Sequence, residues 1–183
     1  MIKKEIFINM ENEIFRGNLL DIGLKNSGIV YNIYKEFNHD INLEYINGEE
    51  EEKNIKESSY DVCILMFSLS SIWSKSKRRS VIECVHKYLR HGGMLYIWDI
   101  DKKPGKLFIG NIKILMPGKK LRIIKIRNIN AVQNVSKEIV FNMIKKYFEI
   151  KEYNFTENMY HIEAMNIANN SESLKEVSVS EET

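Results

Sequence analysis

A carboxylate and two glycines stand close together near the N-terminus, in Asp21-Ile22-Gly23 and Gly28. Asp-x-Gly closes the apolar run Asn18-Leu19-Leu20, the pattern of a buried strand leaving a sheet. Glycines at such an exit let the backbone turn sharply and approach a ligand closely. Asp21 either orients that loop or caps the turn after it. A second exit follows Tyr60-Asp61-Val62-Cys63-Ile64-Leu65-Met66, and Phe67 and Ser68 stand there. Ligands of open α/β sheets sit at the carboxyl ends of strands, so these two residues face a ligand or serve as a core ring and a turn hydroxyl. Asp99, after a third apolar run, is a candidate base or a turn residue. Trp73 and Trp98 lie near strand exits and line a pocket or pack the rim. The basic cluster Ser74-Lys75-Ser76-Lys77-Arg78-Arg79 opens a helix against its dipole, which suits an anionic partner or a solvated turn. His86 and His91 read as helix-surface and helix-end residues with no nucleophile beside them.

The chain has 183 residues, 44% of them hydrophobic and 28% charged, which is the balance of one globular domain with a tail. Its net charge of +2 is too small to make nucleic acid or an anionic membrane a partner of the molecule as a whole. Cys63 and Cys84 have no CxxC spacing and no His/Cys cluster, so no metal site is expected and both read as buried thiols. The N-terminus lacks the apolar core and cleavage site of a signal peptide. No run reaches the ~20 apolar residues of a membrane span. A cytoplasmic protein without a membrane partner is the expectation.

The elements that must position these residues follow from periodicity. Residues 1–16 mix helical and strand spacing and read as an arm packed on the domain. A helix starts near Gly28, with Val30, Ile33, Tyr34 and Phe37 on one face. A strand at 41–46 leads to Asn47-Gly48 and the acidic run Glu49 to Glu52, which reads as a solvated segment. Residues 60–67 form the clearest strand, apolar enough to be covered on both faces. Ser74 to Arg90 reads as a helix ended by His91-Gly92-Gly93, and Met94 to Trp98 as the next strand. Two β-rich runs around Pro117-Gly118 predict an inserted hairpin over 107–127. Ser136 to Phe148 is a helix, 149–155 and 159–166 are closing strands that pair antiparallel, and 168–183 is a disordered tail. The fold class is α/β: a Rossmann-like, doubly wound, mostly parallel sheet with an antiparallel C-terminal strand pair and an inserted β-hairpin, in one domain over 1–167.

Four segments in order make this chain similar to the class I S-adenosylmethionine (SAM) dependent methyltransferases. Leu19-Leu20-Asp21-Ile22-Gly23 with Gly28 resembles the family's first-strand glycine motif. Leu43-Glu44-Tyr45-Ile46-Asn47-Gly48-Glu49 resembles the strand that ends before the adenine. Ser58-Ser59-Tyr60-Asp61-Val62-Cys63-Ile64 resembles the fourth strand, and Tyr88-Leu89-Arg90-His91-Gly92-Gly93-Met94-Leu95-Tyr96-Ile97 resembles the run into the fifth. Tyr147-Phe148-Glu149-Ile150 and Met159 to Ala164 fit the last two strands.

The resemblance implies SAM as cofactor, bordered by Asp21, Gly23, Gly28, Phe67 and Ser68. Lys25 stands where the family has its middle glycine; it obstructs the pocket, turns to solvent or meets the cofactor's carboxylate. Between Gly28 and Asp61 there is room for one clear strand, so either the second or the third strand is missing. In the first case residues 41–47 are the third strand and Glu49 takes the adenine position. In the second case they are the second strand and Asn47 takes the ribose position. The activity implied is methyl transfer to an unknown small-molecule acceptor. The alternative is a non-catalytic domain that acts through protein partners, with 107–127 as the interface. The same segment could pair across a homodimer.

Overall fold

In the computed structural model the described residues are 4–23, 28, 30–32, 43–46, 55–156 and 158–167. Lys25, Asn47, Glu49, the rest of the acidic run and the tail at 168–183 lie outside them. The described chain forms β1 (Lys4–Asn9), β2 (Leu19–Ile22), β3 (Leu43–Ile46), β4 (Tyr60–Met66), helix α1 (Lys75–Tyr88), β5 (Leu89–Ile100), β6 (Phe108–Leu115), β7 (Leu121–Asn128), helix α2 (Lys137–Ile144), β8 (Phe148–Phe155) and β9 (Met159–Asn166). Residues 30–32 add a helical turn after β2.

Six strands make the main sheet, in the order β3-β2-β4-β5-β9-β8. The first four run parallel, and β9 is antiparallel to both neighbours. The pairing of β3 directly with β2 settles which strand residues 43–46 supply. In a doubly wound sheet the second strand neighbours the first, and the third lies beyond it. β3 is therefore the second strand, and among the described residues no strand lies outside it.

β4 is buried along nearly its whole length because its side chains alternate between two cores. Val62, Ile64 and Met66 point to one, with Trp98 and Ile100. Cys63 and Leu65 point to the other, with Leu95, Ile97 and Ile162. The second core is closed by Ile82 and Val85 of α1 and Val140 and Ile144 of α2. The first is closed mainly by a second, three-stranded sheet, β1-β6-β7. The N-terminal arm is thus a strand, parallel to β6, and the hairpin is one layer of the domain. Ile6, Ile8, Ile112, Ile114, Ile124 and Ile126 face inward, together with Val30 from the helical turn.

Helix α1 ends two residues before its expected boundary, and β5 starts without a glycine cap. The physical reason lies in β9. The Asn166 side-chain amide donates to the carbonyls of His86, Leu89 and Arg90 at 3.0, 2.8 and 3.2 Å, so the helix end is satisfied from a distant strand. Gly92, at φ +76°, instead serves an irregularity in β5. There Leu89 lies opposite Tyr60 and Met94 opposite Val62, so the intervening residues bulge out.

No described helix is long and apolar enough to cross a membrane. The layer arrangement predicts opposite outcomes for two isoleucines of the hairpin. Ile112 is fully buried and Ile123 is exposed. Ile112→Ala is expected to lower the unfolding free energy by about 3 kcal/mol, and Ile123→Ala by less than about 0.5 kcal/mol. Urea denaturation of the two variants checks this; equal costs would mean that the hairpin does not cover the sheet.

Candidate functional site at the carboxyl edge of the main sheet

The exit of β2 is built around Asp21, which is fully buried. One carboxylate oxygen, Oδ2, accepts the Tyr31 amide at 2.8 Å, and the Val30 amide also hydrogen-bonds the carboxylate. Asp21 thereby caps the helical turn. Its other oxygen, Oδ1, is buried without a hydrogen-bond partner. Burial pushes the carboxyl up to about 7, against the opposing pull of the two amides.

Tyr45 of β3 pins both ends of the glycine loop. Its hydroxyl donates to the Gly23 carbonyl at 2.9 Å. Its ring lies so close to Gly28 that a Cβ there would meet it at 3.0 Å, and Gly28 sits at φ +59°. Both facts make glycine the residue that fits. Tyr31 leans on the same ring, 5.7 Å between centroids. Residues 24–27, between these pinned ends, lie outside the described residues.

The exit of β4 is tied to that of β2. Ser68 Oγ donates to the Ile22 carbonyl at 2.5 Å. Phe67 takes a left-handed backbone, φ +55°, a cost on the order of 1 kcal/mol for a non-glycine residue. Its amide donates to the Trp98 carbonyl at 2.7 Å, and its ring joins Met10, Phe15 and Val30 in the first core. The structure thus brings Asp21, Gly23, Gly28, Phe67 and Ser68 to one edge. Asn47 and Glu49 fall outside the described residues.

Next to them the edge is filled with buried polar groups. Asp99 accepts the amides of Ser70 at 2.9 Å and Ile100 at 2.7 Å. Burial raises it to about 6. Asn128 and Gln133 both donate to the Ser70 carbonyl, at 3.0 and 3.1 Å. Gln133 and the buried Arg78 both donate to the Ile72 carbonyl, at 2.7 and 2.6 Å. Lys102 donates to the carbonyls of Asn130 and Gln133. Asp99 therefore anchors a turn, and Arg78 leaves the basic cluster to satisfy carbonyls. Trp73 is exposed.

Trp98 does line a cavity, of about 180 Å³, with Phe7, Glu13, Asn154, Met159 and His161. The His161 ring stacks on the indole at 4.2 Å, and burial lowers its pKa to about 4. A second cavity, about 390 Å³, lies between α1 and α2 and is lined by Lys75, Arg79, Met143 and Tyr147 among others. Among the described residues no group of three or more His, Cys, Asp and Glu could hold a metal ion. His86, expected on a helix surface, is buried, with Nδ1 2.5 Å from Asn166 Oδ1. His91 is an exposed residue of β5. Sequence reasoning did not find Tyr45, Asn128, Gln133 or His161. The single aromatic of Leu43-Glu44-Tyr45-Ile46 was the one signal for the first, and the other three depend on long-range packing.

The buried carboxyl of Asp21 gives the fold a pH dependence. In the folded chain it holds its proton to about pH 7, while the unfolded chain loses it near pH 4. The stability that comes from this proton is complete below pH 4 and is lost as the pH rises to 7. In Asp21→Asn that loss is absent. The variant is expected to gain on the unchanged protein between pH 4 and 7, by on the order of 2–4 kcal/mol. Urea denaturation across the range measures the difference; a constant offset would mean that Asp21 stays ionised when folded.

No family model matches the sequence, and no curated protein matches it. Solved structures do. A SAM-dependent methyltransferase from Methanosarcina mazei superposes with a TM-score of 0.55 at 14% identity, over 83% of this chain and 93% of that one. The 1,6-didemethyltoxoflavin-N1-methyltransferase of Burkholderia thailandensis, bound to 1,6-didemethyltoxoflavin and S-adenosylhomocysteine, gives 0.55 at 11% identity, over 82% and 71%. A 4+2 cyclase gives 0.53 at 11% identity, over 83% and 76%. The chain has the fold of the class I SAM-dependent methyltransferases, as a divergent form with a β-layer on one face of its sheet.

Proposed function

We propose that this chain binds SAM at the carboxyl edge of β2 and β3 and transfers its methyl group to a small acceptor. The observation that carries the reading is the orphaned Oδ1 of Asp21, buried at the end of β2 beside two pinned glycines. Once the carboxyl is ionised, Oδ1 is a buried acceptor without a donor, which costs about 1–3 kcal/mol; the ammonium of a bound methionine moiety is a donor of the right kind, and its charge would favour the ionised form. The residues fit the group in this respect. Gly23 would let the backbone approach it, and Asn47, the residue after the second strand, would meet the ribose. SAM supplies an already activated methyl on its sulfonium, so holding donor and acceptor in line accounts for most of the rate. The cavity beside Trp98 is near the size that admits a benzene ring, about 150 Å³. His161, held neutral there by burial, can accept a hydrogen bond from the acceptor.

A second reading is a non-catalytic binding domain. It is favoured by the hydrogen bond between Ser68 and Ile22, which ties the exits of β2 and β4 together, and by the burial of Phe67 in the same apolar core as Met10 and Phe15. The fold itself does not imply methyl transfer, since a 4+2 cyclase shares it.

Calorimetric titration with SAM and S-adenosylhomocysteine separates them. Micromolar binding is expected, weakened at least about tenfold in Asp21→Asn by loss of the charge-assisted bond and abolished in Gly23→Val. Absence of heat up to millimolar ligand, with the protein folded by circular dichroism, would leave the binding-domain reading.

A further inference from the structure

Between residues 102 and 137 the sequence has ten lysines and arginines and no aspartate or glutamate. The rest of the chain carries 17 cations against 25 carboxylates. The near-neutral total therefore conceals a strongly segregated charge. This segment is the hairpin β6–β7 with its flanking loops, the layer that replaces helices on one face of the sheet.

Register places the outward side chains of that layer in rows. Phe7, Lys113 and Ile123 align across the three strands, as do Glu5, Asn111 and Lys125. Leu115 lies opposite Leu121, and Ile109 opposite Arg127. Phe7, Leu121 and Ile123 are 59%, 51% and 55% exposed. Glu5 is the one carboxylate in these rows and is paired to Lys113 at 2.9 Å. Lys119 and Lys120 extend the positive charge around the hairpin turn. Exposed Leu107, Ile129 and Val132 lie in the loops at the base of the hairpin.

We infer that this outer face docks on an anionic phospholipid surface, with Lys119, Lys125 and Arg127 at the headgroup phosphates and Phe7, Leu121 and Ile123 in the boundary below them. Lysine on an edge strand also protects against strand pairing, but protection does not account for aliphatic side chains exposed between the cations. A single-stranded nucleic acid would stack its bases on aromatic rings, and this face offers one ring among aliphatic groups. A second copy is disfavoured because two such faces oppose like charges. Aliphatic and cationic side chains together, with Glu5 as the one carboxylate and that one paired to Lys113, match an interfacial lipid site. The inference is independent of SAM binding.

Flotation of the intact chain with vesicles tests it. Phosphatidylcholine vesicles are compared with vesicles in which about a third of the lipid is phosphatidylserine. The chain is expected to float with the second kind only, and to be released as salt rises. Lys125→Gln with Arg127→Gln should weaken partitioning about 30-fold. Leu121→Ser with Ile123→Ser should weaken it about tenfold. These positions are exposed, and circular dichroism verifies that the variants fold. A chain that stays with the soluble fraction overturns the inference, as does unchanged flotation of both variants. An oligothymidine that strips the chain from vesicles, while the Leu121/Ile123 variant floats like the unchanged protein, would make the face a nucleic-acid surface and overturn the lipid assignment.

Discussion

A strand buried on both faces needs a cover on each side, and β4 imposes that requirement on the whole molecule. Val62, Ile64 and Met66 demand one apolar layer, Cys63 and Leu65 another. Open parallel sheets meet the demand with helices on both faces. Here α1 and α2 serve one side, and the other is served mainly by β1, β6 and β7. A twisted sheet can cover another sheet when its side chains alternate, and β6 does so, buried on every second residue. The outward half of the alternation is then surplus to folding, and its composition is free to answer to something else.

The same two-sided burial draws polar groups into places where they need partners. Asp21 and Asp99 end strands that are fully enclosed, so both carboxyls are dehydrated and held by backbone amides. Asp99 has its two oxygens satisfied by Ser70 and Ile100. Asp21 has only one satisfied. The two carboxyls therefore differ in how completely the backbone satisfies them. The buried side chains of Asn128, Gln133, Arg78 and Lys102 serve carbonyls of irregular segments that have no sheet or helix partner.

The succession of β4, α1 and β5 was legible because a continuous apolar run, a helical stripe and a second apolar run follow one another with turn residues between. The closing strands were legible from their alternation. β1 was not: Lys4-Glu5-Ile6-Phe7-Ile8-Asn9 alternates only weakly, and its partner β6 lies about a hundred residues away. Whether residues 43–46 were the second or third strand could not be read locally, since the answer is a pairing. Gly92-Gly93 suggested a helix cap, but a left-handed glycine also suits a bulge, and Asn166 performs the capping. At the site, Asp21, Gly23 and Gly28 were legible as a motif. Tyr45 was not, because its role is contact with a loop more than fifteen residues earlier in the chain.

β9 follows every other strand of its sheet in the chain, yet it sits inside the sheet, between β5 and β8. Its final residue, Asn166, also closes the end of α1. During synthesis, β5 must therefore wait with an open edge, and α1 with open carbonyls, until the ribosome has delivered the whole domain. Sheet closure is late and long-range, which makes for slow folding and a nascent chain with a strand edge on offer. A chaperone that shields that edge would act on this protein before its last strand arrives and have nothing to hold afterwards.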